Sequence, residues 1–528
     1  MGDVFTNMAL VGYLAPLSLV LVAFMVPLNL LRSVDQVFRL GRAAAVGSFL
    51  GSLVLGVIVF TSGAMVSPLL GIGEFGVSLR LDALSILMVW LVTFLGALLI
   101  QFSRNYLDGD PRQVVFLSRL YLTIAAVLLL VLSGNLWQLV LTWIATSFAL
   151  HQLLVFYPER PRAIRAARKK FIVARISDIC LIIAAAMIAQ AFGTSDLGAV
   201  HAAASAAFAD GSAPAGIGIA AVLVVIAAAL KSAMFPFHGW LLEVMETPTP
   251  VSALLHAGLL NAGTFLVVRL GELVFLSTPA LILLIAVGGF TAVFASSAMI
   301  TQNSVKVSLA YSSAAHMGFM LMLCGFGAHS VAIMHLIAHS FYKAHAFLSS
   351  GSIVEYVQNT GAQKLNTVPH PLSLLANLVA SLLVFLTVAT ALGIDVTKRP
   401  GETALGMIFV IAVAYLLVKG TTGKAPLLVI GRTALMAVLV TLAFFGLELS
   451  AAALLGDVVA MFPTPDTPTL IAMVLAVAAF GSVTLLSALL PALTNRPGWH
   501  AFYVHLRNGF YANALFDRFI STTRSTTR

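Results

Sequence analysis

Long apolar runs alternate along the chain with short polar or glycine-rich segments. A membrane-crossing helix needs roughly 20 apolar residues, and the run lengths fit that requirement. They lie near 8–31, 44–65, 82–102, 114–133, 135–156, 171–192, 217–240, 250–270, 279–300, 305–327, 330–356, 371–393, 403–420, 429–453 and 468–492. The pattern predicts an all-α polytopic membrane protein with about 15 transmembrane helices, within a range of about 13 to 16.

The composition excludes a soluble domain and suggests an orientation. Of the 528 residues, 60% are hydrophobic and 9% are charged, whereas soluble domains carry about 25% charged residues. With the N-terminus outside, about 21 Lys and Arg residues fall in cytoplasmic loops and the tail, against about 4 in external loops. We therefore expect an external N-terminus and a cytoplasmic C-terminus. The loops explain the net charge of +9, so membrane lipid is the expected surrounding and no nucleic acid partner is predicted.

The segment 229–263 combines ionisable residues with a helix break. Lys231 follows the apolar run 217–230, and Pro236 interrupts that run. A charge at membrane depth costs at least about 2.5–3.5 kcal/mol, and a broken helix can house a hydrated ion site there. Lys231 is the predicted central proton carrier, although a lysine that extends to the headgroups is an alternative. Glu243, Glu246 and His256 follow in the same segment and join it as candidates.

A second group of ionisable residues lies in the eleventh predicted span. His335, His339 and Lys343 are spaced at i, i+4 and i+8, so they line one helix face. Imidazole both donates and accepts protons near neutral pH, which favours a proton relay. A zinc site is an alternative, but the neighbouring sequence offers no third ligand; a polar core without a transport role is another. Lys306 and His316 precede this group and are included as candidates.

Other charged residues have local explanations. Asp82 is expected to cap the third span or to pair with Arg80. Arg175 and Asp178 lie three residues apart on one helix face, which predicts a local ion pair. Residues 159–170 form the most basic predicted loop.

Motifs for other chemistry are missing from the sequence. It contains no phosphate-binding or dinucleotide-binding glycine motif, and Cys180 and Cys324 are isolated in apolar runs. We therefore expect no cofactor and no metal in this chain, no enzymatic activity of its own, and an ion gradient as the energy source.

The run from Lys231 to Ala257 resembles the signature of proton-translocating subunits of respiratory complex I and Mrp-type antiporters. Leu81–Ser85, Leu309–Ser313 and the run from His335 to Ala344 resemble the same family. The resemblance implies inverted repeats with discontinuous helices and two half-channels, each with a lysine. It also implies that Lys231 is the first of these lysines, with His256, His335, His339 and Lys343 in a connecting polar axis.

Two positions depart from that family. Its fifth span usually reads Trp-Glu, but here Trp143 precedes Ile144. Its twelfth span usually carries a second lysine or glutamate, which this chain lacks, and Lys398 is the nearest candidate. The coupling is therefore expected to differ from that of complex I.

The C-terminal tail, His505–Arg518, resembles the DabB family of bacterial inorganic-carbon accumulation complexes. The soluble partner in that family, DabA, resembles a zinc carbonic anhydrase. The resemblance implies a proton-conducting subunit in the bacterial inner membrane, whose cytoplasmic partner holds the zinc. The expected docking residues in the tail are Arg507, Asn508, Phe510 and Tyr511, although an interfacial helix is an alternative.

Three alternatives to that function remain open: a subunit of an NADH-quinone oxidoreductase-type complex, an Mrp-type cation/proton antiporter subunit, and a structural scaffold. The predicted organisation is an N-terminal helical region (1–112), a translocation core (113–420), C-terminal helices (421–494) and a cytoplasmic tail (495–528).

Overall fold

The computed structural model describes residues 9–351, 369–396, 398–421, 426–456, 458–459, 464–493 and 497–525. Residues 8 and 352–356, at the ends of the first and eleventh predicted spans, lie outside the described residues. The described α-helices are α1 Leu14–Met25, α2 Val34–Ser62, α3 Ala83–Tyr106, α4 Gln113–Val131, α5 Leu136–Leu154, α6 Pro161–Phe192, α7 Leu197–Ala209, α8 Ile217–Lys231, α9 Gly239–Glu243, α10 Thr249–Ala257, α11 Ala262–Arg269, α12 Gly271–Phe275, α13 Thr278–Met299, α14 Val305–Gly325, α15 His329–Leu348, α16 Pro371–Ala391, α17 Pro400–Thr421, α18 Leu427–Leu455, α19 Thr467–Leu493, α20 Pro497–Arg507 and α21 Ala512–Ser525.

The helices agree with the predicted membrane-spanning architecture. Within the described part of the chain, 11 helical segments are long and apolar enough to cross a membrane. The four other predicted spans correspond to α1, α5, α8 and α15. Helix α8 is short because it ends at Lys231, and α15 is more polar because it carries the histidines. The prediction of an all-α polytopic membrane protein is confirmed.

Two discontinuous helices meet near the centre of the bundle. Helix α8 ends at Lys231 itself, so the break begins before Pro236, earlier than the sequence predicted. The chain stays non-helical until α9, and Ala233 adopts a positive φ of 54°. The second break separates α10 from α11, where a Cβ on Gly263 would lie 2.1 Å from the hydroxyl of Ser232. Only glycine permits this approach, which brings the two breaks together.

The basic segment 159–170 lies at one end of the bundle, and short strands lie at the other. At one end, Arg112 binds Glu159 and Arg162 lies 3.7 Å from Glu246; we call this end the basic face. Two short antiparallel strand pairs lie at the opposite face, before α3. They are β1 Met65–Val66 with β4 Arg80–Leu81, and β2 Leu70–Ile72 with β3 Phe75–Val77.

A buried ion pair holds α3 to the end of α11. Asp82 caps α3 through reciprocal hydrogen bonds with Ser85 and binds Arg80 at 2.7 Å, so both expectations for it are confirmed. No sequence pattern indicated Arg269, whose guanidinium donates to both oxygens of Asp82 at 2.5 and 3.1 Å. Both side chains are almost fully buried. A buried pair of this kind strongly destabilises the fold when one partner is removed.

We expect Asp82→Ala to lower the free energy of unfolding by about 3–5 kcal/mol, because it leaves Arg269 charged, buried and unpaired. The measurement is the thermal unfolding midpoint of the purified protein in detergent. Asp35→Ala is the control, since it removes an exposed partner of Arg104 and should cost less than about 1 kcal/mol. Equal midpoints for the two variants would contradict the assignment.

Candidate proton-translocation site

Lys231 lies in a pocket of uncharged acceptors on α5. Its ammonium donates to the carbonyl of Trp143 at 2.8 Å, the hydroxyl of Thr146 at 3.0 Å and the hydroxyl of Ser147 at 2.9 Å. It also lies 4.3 Å from the centre of the Trp143 ring. We call these four residues the lysine pocket. Lys231 is buried, and its three hydrogen bonds use all three ammonium protons, so it does not extend to the membrane surface.

One carboxylate acts on Lys231 without touching it. Asp178 interacts with Lys231 electrostatically, but its direct partner is Arg175 at 2.7 Å. The local ion pair predicted from the sequence is therefore confirmed. Ile144, at the position where the family carries glutamate, is partly buried and packs against the core. The lysine pocket is thus left without a carboxylate of its own.

The basic segment 159–170 is mostly helix rather than loop. Helix α6 begins at Pro161, and Lys169 and Lys170 in its third turn are buried. The predicted loop was wrong for these residues because small side chains such as Ala163, Ala166 and Ala167 form a buried face. Their spacing of three and four residues was the available signal.

Glu243 and Glu246 lie toward the basic face rather than in the lysine pocket. Glu243 binds the ammonium of Lys169 at 2.7 Å. Glu246 lies near Arg162, and its carbonyl accepts a hydrogen bond from Arg160. Glu243 therefore has a buried basic partner and Glu246 an exposed one.

Three histidines lie together between α14 and α15. A ring nitrogen of His316 lies 3.0 Å from one of His335, and the rings of His316 and His339 are 4.8 Å apart. We call these three residues the histidine cluster. The neighbouring sequence offered no third ligand beside His335 and His339; helix packing brings His316 to them across from α14. Even so, the described residues contain no group of three or more His, Cys, Asp or Glu side chains arranged to hold a metal ion.

Lys343 and His256 extend this polar region toward the breaks. Lys343 is fully buried and donates to the carbonyl of Leu309 at 3.2 Å. His256 stacks on Phe347, with ring centres 4.3 Å apart, and neither of its ring nitrogens has a hydrogen-bond partner among the described residues. A buried imidazole whose nitrogens have no protein partner can bind a water molecule or accept a transferred proton.

Hydrogen bonds connect the two helix breaks and α15. The hydroxyl of Ser232 donates to the carbonyl of Leu260 at 3.0 Å. The amide of Asn261 donates to the hydroxyl of Ser340 at 2.7 Å, and Ser340 follows His339 in the chain. These contacts join the surroundings of Lys231 to those of the histidine cluster. Lys306 lies apart from this connection, with its ammonium 3.5 Å from the hydroxyl of Thr249.

The second half of the bundle, from α16 onward, places its charged residues differently from the lysine pocket. Lys398 is 78% exposed and lies 3.3 Å from Asp395, so it is not a second buried lysine. Arg399, Glu402 and Glu448 line a cavity of about 400 Å³ that also includes His329, the first residue of α15. These charged groups lie on α17 and α18 or just before them, and α16 carries no ionisable residue.

The C-terminal tail folds back onto the basic face. The helix is interrupted after Arg507, and Phe510 adopts a positive φ of 48°. Beyond the interruption, the Asn513 amide donates to Glu243 at 2.7 Å and its carbonyl oxygen accepts from Lys169 at 2.8 Å. Asp517 binds Lys169 at 2.6 Å. The tail therefore completes the coordination of a buried lysine on α6.

Arg507, Asn508, Phe510 and Tyr511 remain exposed on the tail. The backbone carbonyl of Arg507 accepts from Gln302, and the ring of Phe510 contacts Phe294. These side chains are accessible, but their segment is anchored to the membrane helices.

The fold and this site correspond to a known class of membrane subunit. The family described as "NADH:quinone oxidoreductase/Mrp antiporter, TM" matches residues 133–398, which include the lysine pocket and the histidine cluster. The family described as "NADH-Ubiquinone oxidoreductase (complex I), chain 5 N-terminus" matches residues 70–117. The chain belongs to this family of proton-translocating, antiporter-like membrane subunits.

Individual proteins within this family are similar to much of the chain. The chain is 36% identical over 461 residues to "Probable inorganic carbon transporter subunit DabB2" of Halothiobacillus neapolitanus, covering 85% of this chain and 81% of that protein. It is 41% identical over 273 residues to "Probable inorganic carbon transporter subunit DabB" of Hydrogenovibrio crunogenus, covering 52% of each. The fold is similar to a chain of the Mrp complex from Dietzia sp., with a TM-score of 0.64, 22% identity, and coverage of 98% of this chain and 60% of that one.

Gly239→Ala should displace the tail, because a Cβ there would lie 2.1 Å from the side-chain oxygen of Asn513. We therefore expect faster tryptic cleavage after Arg507. The rate is measured by mass spectrometry of the released C-terminal fragment. Gly498→Ala is the control, since nothing lies within 4 Å of its added Cβ. Identical cleavage rates in both variants would show that the tail does not depend on this contact.

Proposed function

We propose that this chain is the proton-conducting membrane subunit of an energy-coupled inorganic-carbon accumulation complex. Lys231 is the central proton carrier, and the histidine cluster and Lys343 continue the path across the bundle. Proton flow passes to a soluble zinc protein that resembles carbonic anhydrase and hydrates CO2 to bicarbonate. This chain holds no zinc and performs no carbon chemistry.

The observation that carries the proton pathway is the coordination of Lys231. A buried amine held only by uncharged acceptors has no fixed counter-charge, so its neutral and protonated forms are closer in energy than those of an ion-paired lysine. A group of this kind takes up and releases protons with little structural change. The hydrogen bond from Ser232 to Leu260 in the second break, and that from Asn261 to Ser340 on α15, mark the route of transfer.

Inorganic carbon is favoured by the named relatives. The alignment with a probable inorganic carbon transporter subunit covers 81% of that protein, and the word "subunit" implies a complex with partner proteins. The basic face is then the cytoplasmic face, because cytoplasmic loops collect Lys and Arg. The exposed side of the tail, including Arg507 and Tyr511, is the proposed docking surface for the zinc partner.

A complex I-type or Mrp-type subunit is the second candidate. Its support is the family description that matches residues 133–398. Against it stands the lysine pocket, where Ile144 takes the place of the carboxylate that the resemblance leads one to expect. Co-purified proteins distinguish the candidates, as described below.

Lys231→Met should reduce proton flux by tenfold or more, since it keeps the apolar stem but removes the titratable amine; a positioned proton-transfer group typically contributes about 10²–10⁴-fold. The measurement uses the purified complex in liposomes, a potassium diffusion potential and an internal pH-sensitive dye. Arg42→Met removes an exposed cation from α2 and serves as the control. Flux at the wild-type level in Lys231→Met would exclude the proposed carrier.

Purification of the tagged chain from its native membrane in mild detergent should recover one large soluble protein with about one zinc per partner, because zinc chemistry is assigned to that partner. Mass spectrometry identifies the partner and elemental analysis gives the metal. Recovery of flavin or iron–sulfur subunits would support the complex I alternative. A set of small membrane proteins would support the antiporter alternative.

A further inference from the structure

Ser147 is shared by two buried lysines. Its hydroxyl accepts from Lys231 at 2.9 Å, and its backbone carbonyl accepts from Lys170 at 2.9 Å. Lys231 approaches from the end of α8, whereas Lys170 approaches from α6. Both side chains are buried. A single residue of α5 therefore bridges two amines that are 61 positions apart in the sequence.

The neighbouring charges do not balance two ammonium ions. The groups that act on Lys170 are Lys231, Arg175 and Asp178, together with His151 on α5. Asp178 is the carboxylate in this set, and it pairs directly with Arg175. Arginine stays protonated in proteins, so its charge offsets that of Asp178. Two further buried cations would then have no counter-charge, which is strongly unfavourable.

The adjacent residue Lys169 provides an internal comparison. Its ammonium is bound by Glu243 and Asp517, so two carboxylates balance it. Successive residues of a helix point about 100° apart, which sends Lys169 toward the tail and Lys170 toward Ser147. Of these two neighbouring lysines, only Lys169 has direct carboxylate partners among the described residues.

We propose that Lys170 is a second proton carrier, which shares one proton with Lys231 across Ser147 and connects the lysine pocket to the basic face. This inference rests on the proposed function. When Lys231 is protonated, Lys170 is neutral and can accept a proton from the side of the basic face. Transfer of the proton on Lys231 toward the histidine cluster then allows Lys170 to pass its proton to Lys231, through the Ser147 hydroxyl or a water molecule.

The transfer step keeps the charge of the pair constant. An N–H bond on the Lys170 ammonium breaks while an N–H bond forms on the neutral Lys231 amine, so one proton moves and no other reactant is needed. The Ser147 hydroxyl can take part because it both donates and accepts a hydrogen bond. Lys170 thus gives Lys231 a titratable partner from α6, which Ile144 on α5 cannot provide.

The test compares Lys170→Met and Lys170→Arg in the full complex reconstituted in liposomes. Arginine keeps the positive charge and donors but cannot release its proton at neutral pH. We therefore expect both variants to lose tenfold or more of the proton flux, while a titratable Lys170→His restores part of it. Arg168→Met, an exposed neighbour on α6, is the matched control and should conduct like the wild type.

The outcomes separate the inference from the function on which it rests. Wild-type flux in Lys170→Arg or Lys170→Met would overturn the carrier role of Lys170 while leaving conduction through Lys231 intact. If the wild-type complex conducted protons no faster than the Lys231→Met complex, the proposed function and this inference would both be overturned. Thermal midpoints of all variants are measured alongside, and the loss of flux in Lys170→Arg counts as support when its midpoint equals that of the wild type.

Discussion

Burying an ammonium ion in an apolar helix bundle is the constraint on which the rest of this structure depends. The charge must be met by oxygen atoms, because leaving it bare at that depth costs several kcal/mol. Here the oxygens come from one short stretch of α5, Trp143 to Ser147, and Lys231 reaches them from the last position of α8. The helix ends there and the chain turns away. Gly263 must lack a side chain so that the second break can approach.

The tail addresses a related problem at the basic face. Lys169 is buried by the packing of α6, and it needs counter-charges that α6 does not provide. Glu243 supplies one from the segment that follows Lys231, and Asp517 supplies another from the end of the chain. The tail is thereby joined to α6, whose Lys170 contacts Ser147, and to the broken helix that carries Lys231. A protein bound to the exposed residues of the tail would act on those elements through these contacts.

Local sequence patterns predicted the parts of the site that lie within one helix. The membrane-spanning runs follow from the apolar pattern, and the break after Lys231 follows from the position of Pro236. The spacing of His335, His339 and Lys343 places them on one helix face. Contacts between distant elements were beyond that reasoning. Three contacts depend on how helices pack: those of Arg269 with Asp82, of His316 with His335 and of Asn513 with Glu243. The placement of Lys170 was within reach, because the alanines of α6 mark a buried face, but its high local charge favoured a loop.

The two halves of the bundle solve the charge problem in opposite ways, and this explains why the second-half lysine is not found where the family resemblance points. In the first half, amines are buried and most of their acceptors are neutral. In the second half, Lys398 remains exposed, and Glu402 and Glu448 instead line a cavity beside Arg399. Carboxylates close to an exposed arginine can be hydrated and paired without a broken helix, so α16 can cross the bundle as a continuous apolar helix. In the first half, by contrast, the backbone is interrupted directly after Lys231, whose ammonium takes its oxygen atoms from inside the bundle.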